Sequence, residues 1–197
     1  MPTNRRPVLA TSLLALSLAI AGCGPSWVIV KQAPGSPLAT RKAVTIAALD
    51  WTALSISGKS SEAEWIAQHK PAEQAQFQVD WQKDKADAGM LFASHLAERL
   101  ATLGIVATAT PTAEGFGVQA HADMFEPGFW SPMGFGNTAS VLVATVQLVD
   151  GSGVIDTVRF TARIGATVFN PVPGQRLRQA AQQVADQVAS YIQGRRK

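Results

Sequence analysis

The residues able to do chemistry in this chain are few and far apart. Its single thiol is Cys23, which follows Ile20-Ala21-Gly22 at the end of an apolar run. A lone thiol forms no intramolecular disulfide and no multi-cysteine metal site, but it can be alkylated. The histidines are His69, His95 and His121. They lack the i, i+4 spacing of a helical metal pair and fall on three separate elements, so no metal is expected. His121 and Asp123 would face the same way on a strand, and with a serine such a pair can imitate a relay triad. No Gly-x-Ser-x-Gly elbow exists to supply that serine, and Gly151-Ser152-Gly153 reads as a turn. A surface polar pair is therefore expected, with no catalytic residue. His95 borders the apolar face of a long helix and reads as a satisfied interface histidine. Asp80, Asp84 and Asp87 are scattered carboxylates, and the last two suit a helix start, where they complement the dipole.

The segment from Ala53 to Ser60 resembles a phosphate-binding loop, ending Gly58-Lys59-Ser60 between a strand and a helix. Ala53 stands where the first glycine belongs. Gln147 interrupts the apolar run that should end in a magnesium-binding carboxylate at Asp150. Nucleotide hydrolysis is not expected, and neither is any cofactor.

The elements around Cys23 say most. Arg5 and Arg6 precede a run from Val8 to Ala21 that is broken only by Thr11, Ser12 and Ser17. At about 14 residues the run is too short to span a bilayer, which takes ~20, and it fits an export signal. Ile20-Ala21-Gly22-Cys23 looks like the lipobox read by the bacterial lipoprotein signal peptidase. That resemblance implies cleavage between Gly22 and Cys23, a lipidated thiol and an acylated new amino group. Several acyl chains make a durable anchor where one does not. Gly24, in place of an aspartate, favours the outer membrane by resemblance to sorted lipoproteins. Arg5-Arg6 hints at twin-arginine export, but Pro7-Val8-Leu9 fits that pattern poorly and the general route is preferred.

The chain holds 17 Lys+Arg against 14 Asp+Glu. Loss of residues 1–22 removes Arg5 and Arg6 and no acid, leaving 15 against 14, a net of +1. The basic character is thus largely a leader and tail effect, and it gives no nucleic-acid footprint. About 175 residues remain, enough for one domain. The expected organisation is a signal peptide over 1–22, a lipidated, Pro-rich tether over 23–42, a periplasmic α/β domain over 43–194 and a solvated basic tail over 195–197. Within the tether, Trp27-Val28-Ile29-Val30 is an apolar patch that either docks on the domain or lies on the membrane.

Strands are expected at 43–50, 105–110, 118–125, 140–149 and 154–164. Ser61 and Glu64 form a capping box that starts a helix near Glu62 and ends before Pro71. Further helix is expected after Pro71, with 77–81 ambiguous. A long helix over Lys85–Leu103, capped by Asp84 and stopped by Gly104, carries Ala88, Leu91, Phe92, Leu96, Leu100 and Leu103 on one face. A terminal amphipathic helix runs from about Gln175 to Gln193, with Gly194 ending it. In the hairpin, matched faces require Val146 to pair with Val158 and Ala144 with Phe160, through a three-residue Gly151-Ser152-Gly153 loop. The fold class is α/β (α+β): a single mixed sheet of about 4–5 strands with a C-terminal β-hairpin, packed by a long central and a terminal helix.

The segment 115–136 is rich in glycine and aromatics. Phe116, Phe129, Trp130 and Phe135 are its candidate contacts for a partner or a membrane, against the alternative of aromatics folded back over the sheet. The element order resembles that of small envelope lipoproteins: lipobox, Pro-rich tether, strand opening Val44-Thr45-Ile46-Ala47, helix with Leu96-Ala97-Glu98-Arg99-Leu100, then hairpin with Val146-Gln147-Leu148-Val149-Asp150. Relatives of the curli-secretion lipoprotein, the penicillin-binding-protein activator lipoproteins and the TolB N-terminal domain share this order. The resemblance implies a non-enzymatic domain that binds or scaffolds an envelope or secretion component, or self-assembles, while the lipid bilayer holds Cys23. A carrier or sensor of a hydrophobic ligand is the second expectation and needs a deep apolar cavity beside the sheet. A hydrolase is a distant third and needs His, Asp and Ser to converge in a cleft.

Overall fold

The computed structural model describes residues 26–197 except 36, 58, 59, 114, 134 and 135. Among the described residues there are one mixed sheet and three helices. The strands are β1 (Trp27–Gln32), β2 (Ala43–Ile46), β3 (Ser55–Ile56), β4 (Ser60–Ser61), β5 (Val106–Ala107), β6 (Gly115–Glu126), β7 (Ser140–Asp150) and β8 (Gly153–Ile164), and the helices are α1 (Glu62–Ala67), α2 (Pro71–Ala101) and α3 (Pro173–Arg195). The sheet order is β1-β8-β7-β6-β2-β5, and β3, paired with β4, also lies along β6. Eight strands replace the expected four or five.

The antiparallel β6-β7-β8 meander is the frame. Alternation decides its faces: Leu142, Ala144, Val146 and Leu148 are buried, as are Val158, Phe160 and Ala162 opposite them. Val146 does pair with Val158, and Ala144 with Phe160. The odd residue that this register needs is not at the tip, however. Asp150 pairs with Gly153 across a two-residue turn, and the register shifts between Leu148 and Val149. The Asp150 carboxylate accepts the Ser152 amide at 2.8 Å and its hydroxyl at 2.6 Å, which tightens the turn. The bulge then falls at Ile155, and Ile155 and Asp156 are both buried.

The extra strands have local causes. Trp27 sets its indole against Phe160 at 5.9 Å and Tyr191 at 6.3 Å, so the apolar patch in the expected tether docks as the edge strand β1 on β8. In the stretch resembling a phosphate loop, Ser55–Ile56 and Ser60 belong to the small β3–β4 pair, with β3 beside Met124 and Phe125, while Gly58 and Lys59 lie outside the described residues.

The capping box forms as expected: the Ser61 hydroxyl accepts the Glu64 amide, and the Glu64 carboxylate accepts the Ser61 amide. The long helix is longer than expected. Pro71 starts it with φ already helical. Phe77 and Trp81, ambiguous in sequence, are one turn apart on one face and meet Trp65 at 4.9 and 5.0 Å. Asp84 and Asp87 therefore sit mid-helix rather than at its start. Asp84 pairs with Arg178 of α3, and Asp87 with Lys83. Gly174 makes that crossing feasible, because a Cβ there would overlap the Asp84 carboxylate. Gly104, at φ +73°, follows the end of α2.

The end of α3 also differs. Gly194 does not stop it, and Arg195 is no solvated tail. Its guanidinium meets the fully buried Asp156 at 2.8 Å. The same carboxylate accepts the Tyr191 hydroxyl at 2.8 Å and the Ala33 amide at 2.9 Å. Burial and donation to Asp156 push the Tyr191 phenol up to about 12. A buried carboxylate needs such partners, and Arg195 supplies the charge that the buried position demands.

Candidate functional site

Helices α2 and α3 cover one face of the sheet. On the other face Val143, Thr145 and Gln147 of β7 are half-buried, and Gln119, Arg159 and Arg163 are exposed. This uncovered face holds an ordered polar cluster. His121 is set by β6, where it pairs with Thr145. Asp50 reaches it through a parallel bridge, with the Asp50 amide donating to Ala120 and its carbonyl accepting from Ala122, at 2.9 and 2.8 Å. A register shift between Ala122 and Met124 bulges the strand at Asp123 and re-aims its carboxylate.

One Asp50 oxygen accepts both the amide and the hydroxyl of Thr52, at 3.0 and 2.7 Å. The other lies 3.1 Å from His121 Nδ1. The Thr52 hydroxyl and amide, then His121, hold the Asp50 carboxyl down at about 2. Asp123 sits 4.0 Å from His121 Nε2, accepts the Thr145 hydroxyl at 2.7 Å and is 3.7 Å from Arg159. A hollow of about 420 Å³ over this cluster is bordered by Asp50, Gln119, His121, Asp123, Thr145 and Gln147.

The His121–Asp123 pair read from the sequence is thus real, and Asp50 and Arg159 extend it. Its two hydroxyls, of Thr52 and Thr145, donate to Asp50 and Asp123. The Thr145 proton is directed to Asp123, not to the imidazole, so the relay order is missing. Among the described residues no group of three His, Cys, Asp or Glu is arranged to hold a metal. The cluster is suited to exchanging hydrogen bonds and charge with an incoming polar surface.

The aromatic-glycine segment divides in two. Its first half is strand β6, and Phe116 is buried at the strand's start, so that residue is no contact for a partner. Phe125 is likewise core, stacked on Trp81 at 5.7 Å. Its second half is a true loop, residues 127–139, in which Phe129 is exposed and Trp130 half-buried. Phe135 lies outside the described residues, as do Gly22 and Cys23.

Arg176, in the first turns of α3, organises this loop. It is 1% exposed, yet among the described residues no carboxylate answers it. Its donors reach Ser140 Oγ at 2.7 Å, the Pro127 carbonyl at 2.9 Å, and the Asn170 and Pro171 carbonyls at 2.8 and 2.6 Å. Burial lowers its pKa from the ordinary value. One guanidinium therefore clasps residues 127–139 to a second loop, residues 165–172. In that second loop the Asn170 side chain accepts the Thr167 amide and donates to the Gly165 carbonyl. Val168 and Phe169 point outward from it. The sequence signal for this loop was slight: two exposed apolar residues before Asn170-Pro171, in a stretch without strand periodicity.

No family model matches the chain, and no curated protein matches it. Among solved structures, a variant PelC dodecamer from Paraburkholderia phytofirmans is similar, at 13% identity over 85% of this chain and 97% of that one, with TM-score 0.42. Another crystal form of the PelC dodecamer from the same organism has 13% identity over 78% and 94%, with TM-score 0.40. An uncharacterized protein has 16% identity over 82% and 98%, with TM-score 0.40. At these values the likeness settles neither fold nor function, which rest on the chain's own residues.

Proposed function

We propose that the chain is a bacterial envelope lipoprotein, anchored through acylated Cys23 in the outer membrane, whose periplasmic α/β domain binds or scaffolds another envelope or secretion component. The domain presents its uncovered sheet face to that component. The observation that carries this reading is the one-sided sheet: two helices bury one face, while the other bears a pre-formed cluster of Asp50, His121, Asp123, Thr145 and Arg159. Rigid polar groups on strands recognise a partner at little ordering cost. Small polar and charged side chains around the hollow fit a protein or glycan surface better than an apolar ligand.

Affinity capture of the lipidated protein from membranes tests this reading. Gln119 and Gln147 face each other on β6 and β7. The double variant Gln119→Arg, Gln147→Arg should lose the captured component, whereas Ser190→Arg on α3 should keep it. An unchanged set of captured proteins for both variants contradicts the assignment of this face.

A further inference from the structure

Three features meet at the end of the sheet where β6 ends, β7 begins and β8 leaves. The first is the entry of the chain. The Ser26 carbonyl accepts the Thr161 amide at 2.8 Å, and Trp27 pairs with Phe160. Cys23 lies three residues before Ser26, so even fully extended chain separates them by about 10 Å. The second and third are the loops clasped by Arg176, residues 127–139 and 165–172. Neither contains a charged residue.

Both loops turn backbone inward: the Pro127, Asn170 and Pro171 carbonyls accept from the buried Arg176, while Asn137, Thr138 and Thr167 stay at the surface. Several of their apolar side chains turn outward, although Trp130 is half-buried: Phe169 is 90% exposed, Met133 77%, Val168 68% and Phe129 57%. Gly128 holds this arrangement at φ +65°, where a Cβ would sit 2.6 Å from the Thr138 carbonyl. A backbone so firmly bonded makes the patch a standing feature of the fold.

The geometry points to this end of the domain being seated in the headgroup layer of the bilayer that holds Cys23, with Phe129, Met133, Val168 and Phe169 at the acyl boundary. The inference rests on the acylation of Cys23 proposed above. Acyl chains on that residue begin at the boundary, and the polar layer on each side of the hydrocarbon is about 5–8 Å thick. A tether of about 10 Å holds the end of β8 against that layer. Uncharged loops enter it without stripping ions of water, and aromatic and thioether side chains gain by leaving water.

The helical corner sets the tilt. Lys70 and Glu73 stand at the start of α2, and before them helix α1, which carries Glu62 and Glu64, lies beside β3 and β4. That is four ladder spacings from β1, roughly 19 Å. The domain therefore meets the bilayer on the corner between β1 and the β6–β7 loop. The hairpin tip at Gly151-Ser152 stands at the opposite end of β8, roughly 40 Å away.

A nitroxide depth measurement tests the seating. The chain has one cysteine, and acylation consumes it, so a single added cysteine labels uniquely. Lipidated Phe169→Cys, Phe129→Cys and Ser152→Cys proteins are spin-labelled in vesicles of phosphatidylethanolamine and phosphatidylglycerol. At 169 and 129, collision with oxygen should exceed collision with a water-soluble nickel chelate severalfold, and at 152 the order should reverse. Equal nickel access at 169 and 152 in vesicle-bound protein overturns the seating. Labelling the protein without an added cysteine separates the two claims. Uptake at Cys23 would overturn the acylation reading, whereas no uptake with a nickel-accessible 169 overturns only the seating.

Discussion

The two ends of the sheet each engage an arginine, half-buried Arg195 and buried Arg176, and they use it in opposite ways. At the hairpin end Arg195 meets the buried Asp156, and the pair ties the end of α3 to the exit of β1 through Tyr191 and Ala33. Charge is neutralised by charge, and the surroundings are charged as well: Arg41 pairs with Asp150 at 2.7 Å beside the hairpin turn. At the other end Arg176 has only carbonyls and one hydroxyl. Carbonyl acceptors draw loop backbone inward, and the side chains of uncharged loops are left to face out. An ion pair closes a surface, whereas a guanidinium satisfied by backbone displays one. That difference gives the molecule a polar end and an apolar end, and the apolar end is where Ser26 leads into β1.

The largest effect should come from breaking the ion-paired end. Asp156→Ala leaves the Arg195 guanidinium without its charge partner and the Ala33 amide and Tyr191 hydroxyl without an acceptor. Loss of one partner of a buried pair costs about 3–5 kcal/mol. Urea unfolding should show this as a lowered midpoint, and a loss below about 1 kcal/mol would mean that the pair is effectively solvated.

Arg176→Met should cost less, about 1–3 kcal/mol, because the bared carbonyls can find water once the loops loosen. Its signature is local. Amide exchange at Phe129 and Thr138, which bridge the first loop, should accelerate well before the β7–β8 ladder does. Uniform acceleration across the sheet would show that Arg176 supports the whole fold and not the two loops. Gly128→Ala should loosen the same loop at a cost of about 1–3 kcal/mol, since that residue must enter a left-handed conformation against backbone. Phe169→Ser sharpens the contrast from the other side. It should change stability by less than about 0.5 kcal/mol, while reducing nitroxide immersion at 129 in vesicles.

The smallest effect concerns the open face. Donors from Thr52 and His121 hold Asp50 down at about 2 from an ordinary 3.8. A depressed carboxylate stabilises the fold fully above the unfolded value, and that contribution fades as pH falls from near 3.8 toward 2. Asp50 is largely exposed, so the contribution to stability is small. Carboxyl carbon shifts should show a midpoint near about 2, moving up toward 3.8 in Thr52→Val. A wild-type midpoint at the ordinary value would mean that the Asp50–Thr52–His121 contacts do not persist in solution.

Much of the fold was legible wherever one physical rule acted alone. The hairpin register followed from period-two alternation, and the α3 stripe of Leu177, Ala181, Val184, Val188 and Ile192 is buried throughout. Reading failed where a tertiary contact decided. Trp27 is half-buried against Phe160 and Tyr191, more than 130 residues away in sequence, so β1 read as tether. Arg195 looked like tail because its partner Asp156 read as part of an ordinary strand. Phe116 and Phe129 had the same local composition around them, and only β6 pairing separates the buried one from the exposed one. His121 and Asp123 were visible as a pair, but Asp50 joins them through a parallel bridge that no local pattern announces. The second apolar loop, with Val168 and Phe169, became meaningful only when Arg176 was seen to bind both loops.

The proposed anchor at Cys23 is the central claim of the functional reading, and one measurement addresses it most directly. Membrane fractions from cells making the full chain, or Cys23→Ser, are compared, and the mass of the mature N-terminal peptide is determined. The account predicts a peptide beginning at residue 23 with a lipid-modified cysteine and an acylated amino group, and a soluble or uncleaved Cys23→Ser protein. A Cys23→Ser protein that still fractionates with membranes as a mature, lipid-labelled species would contradict it.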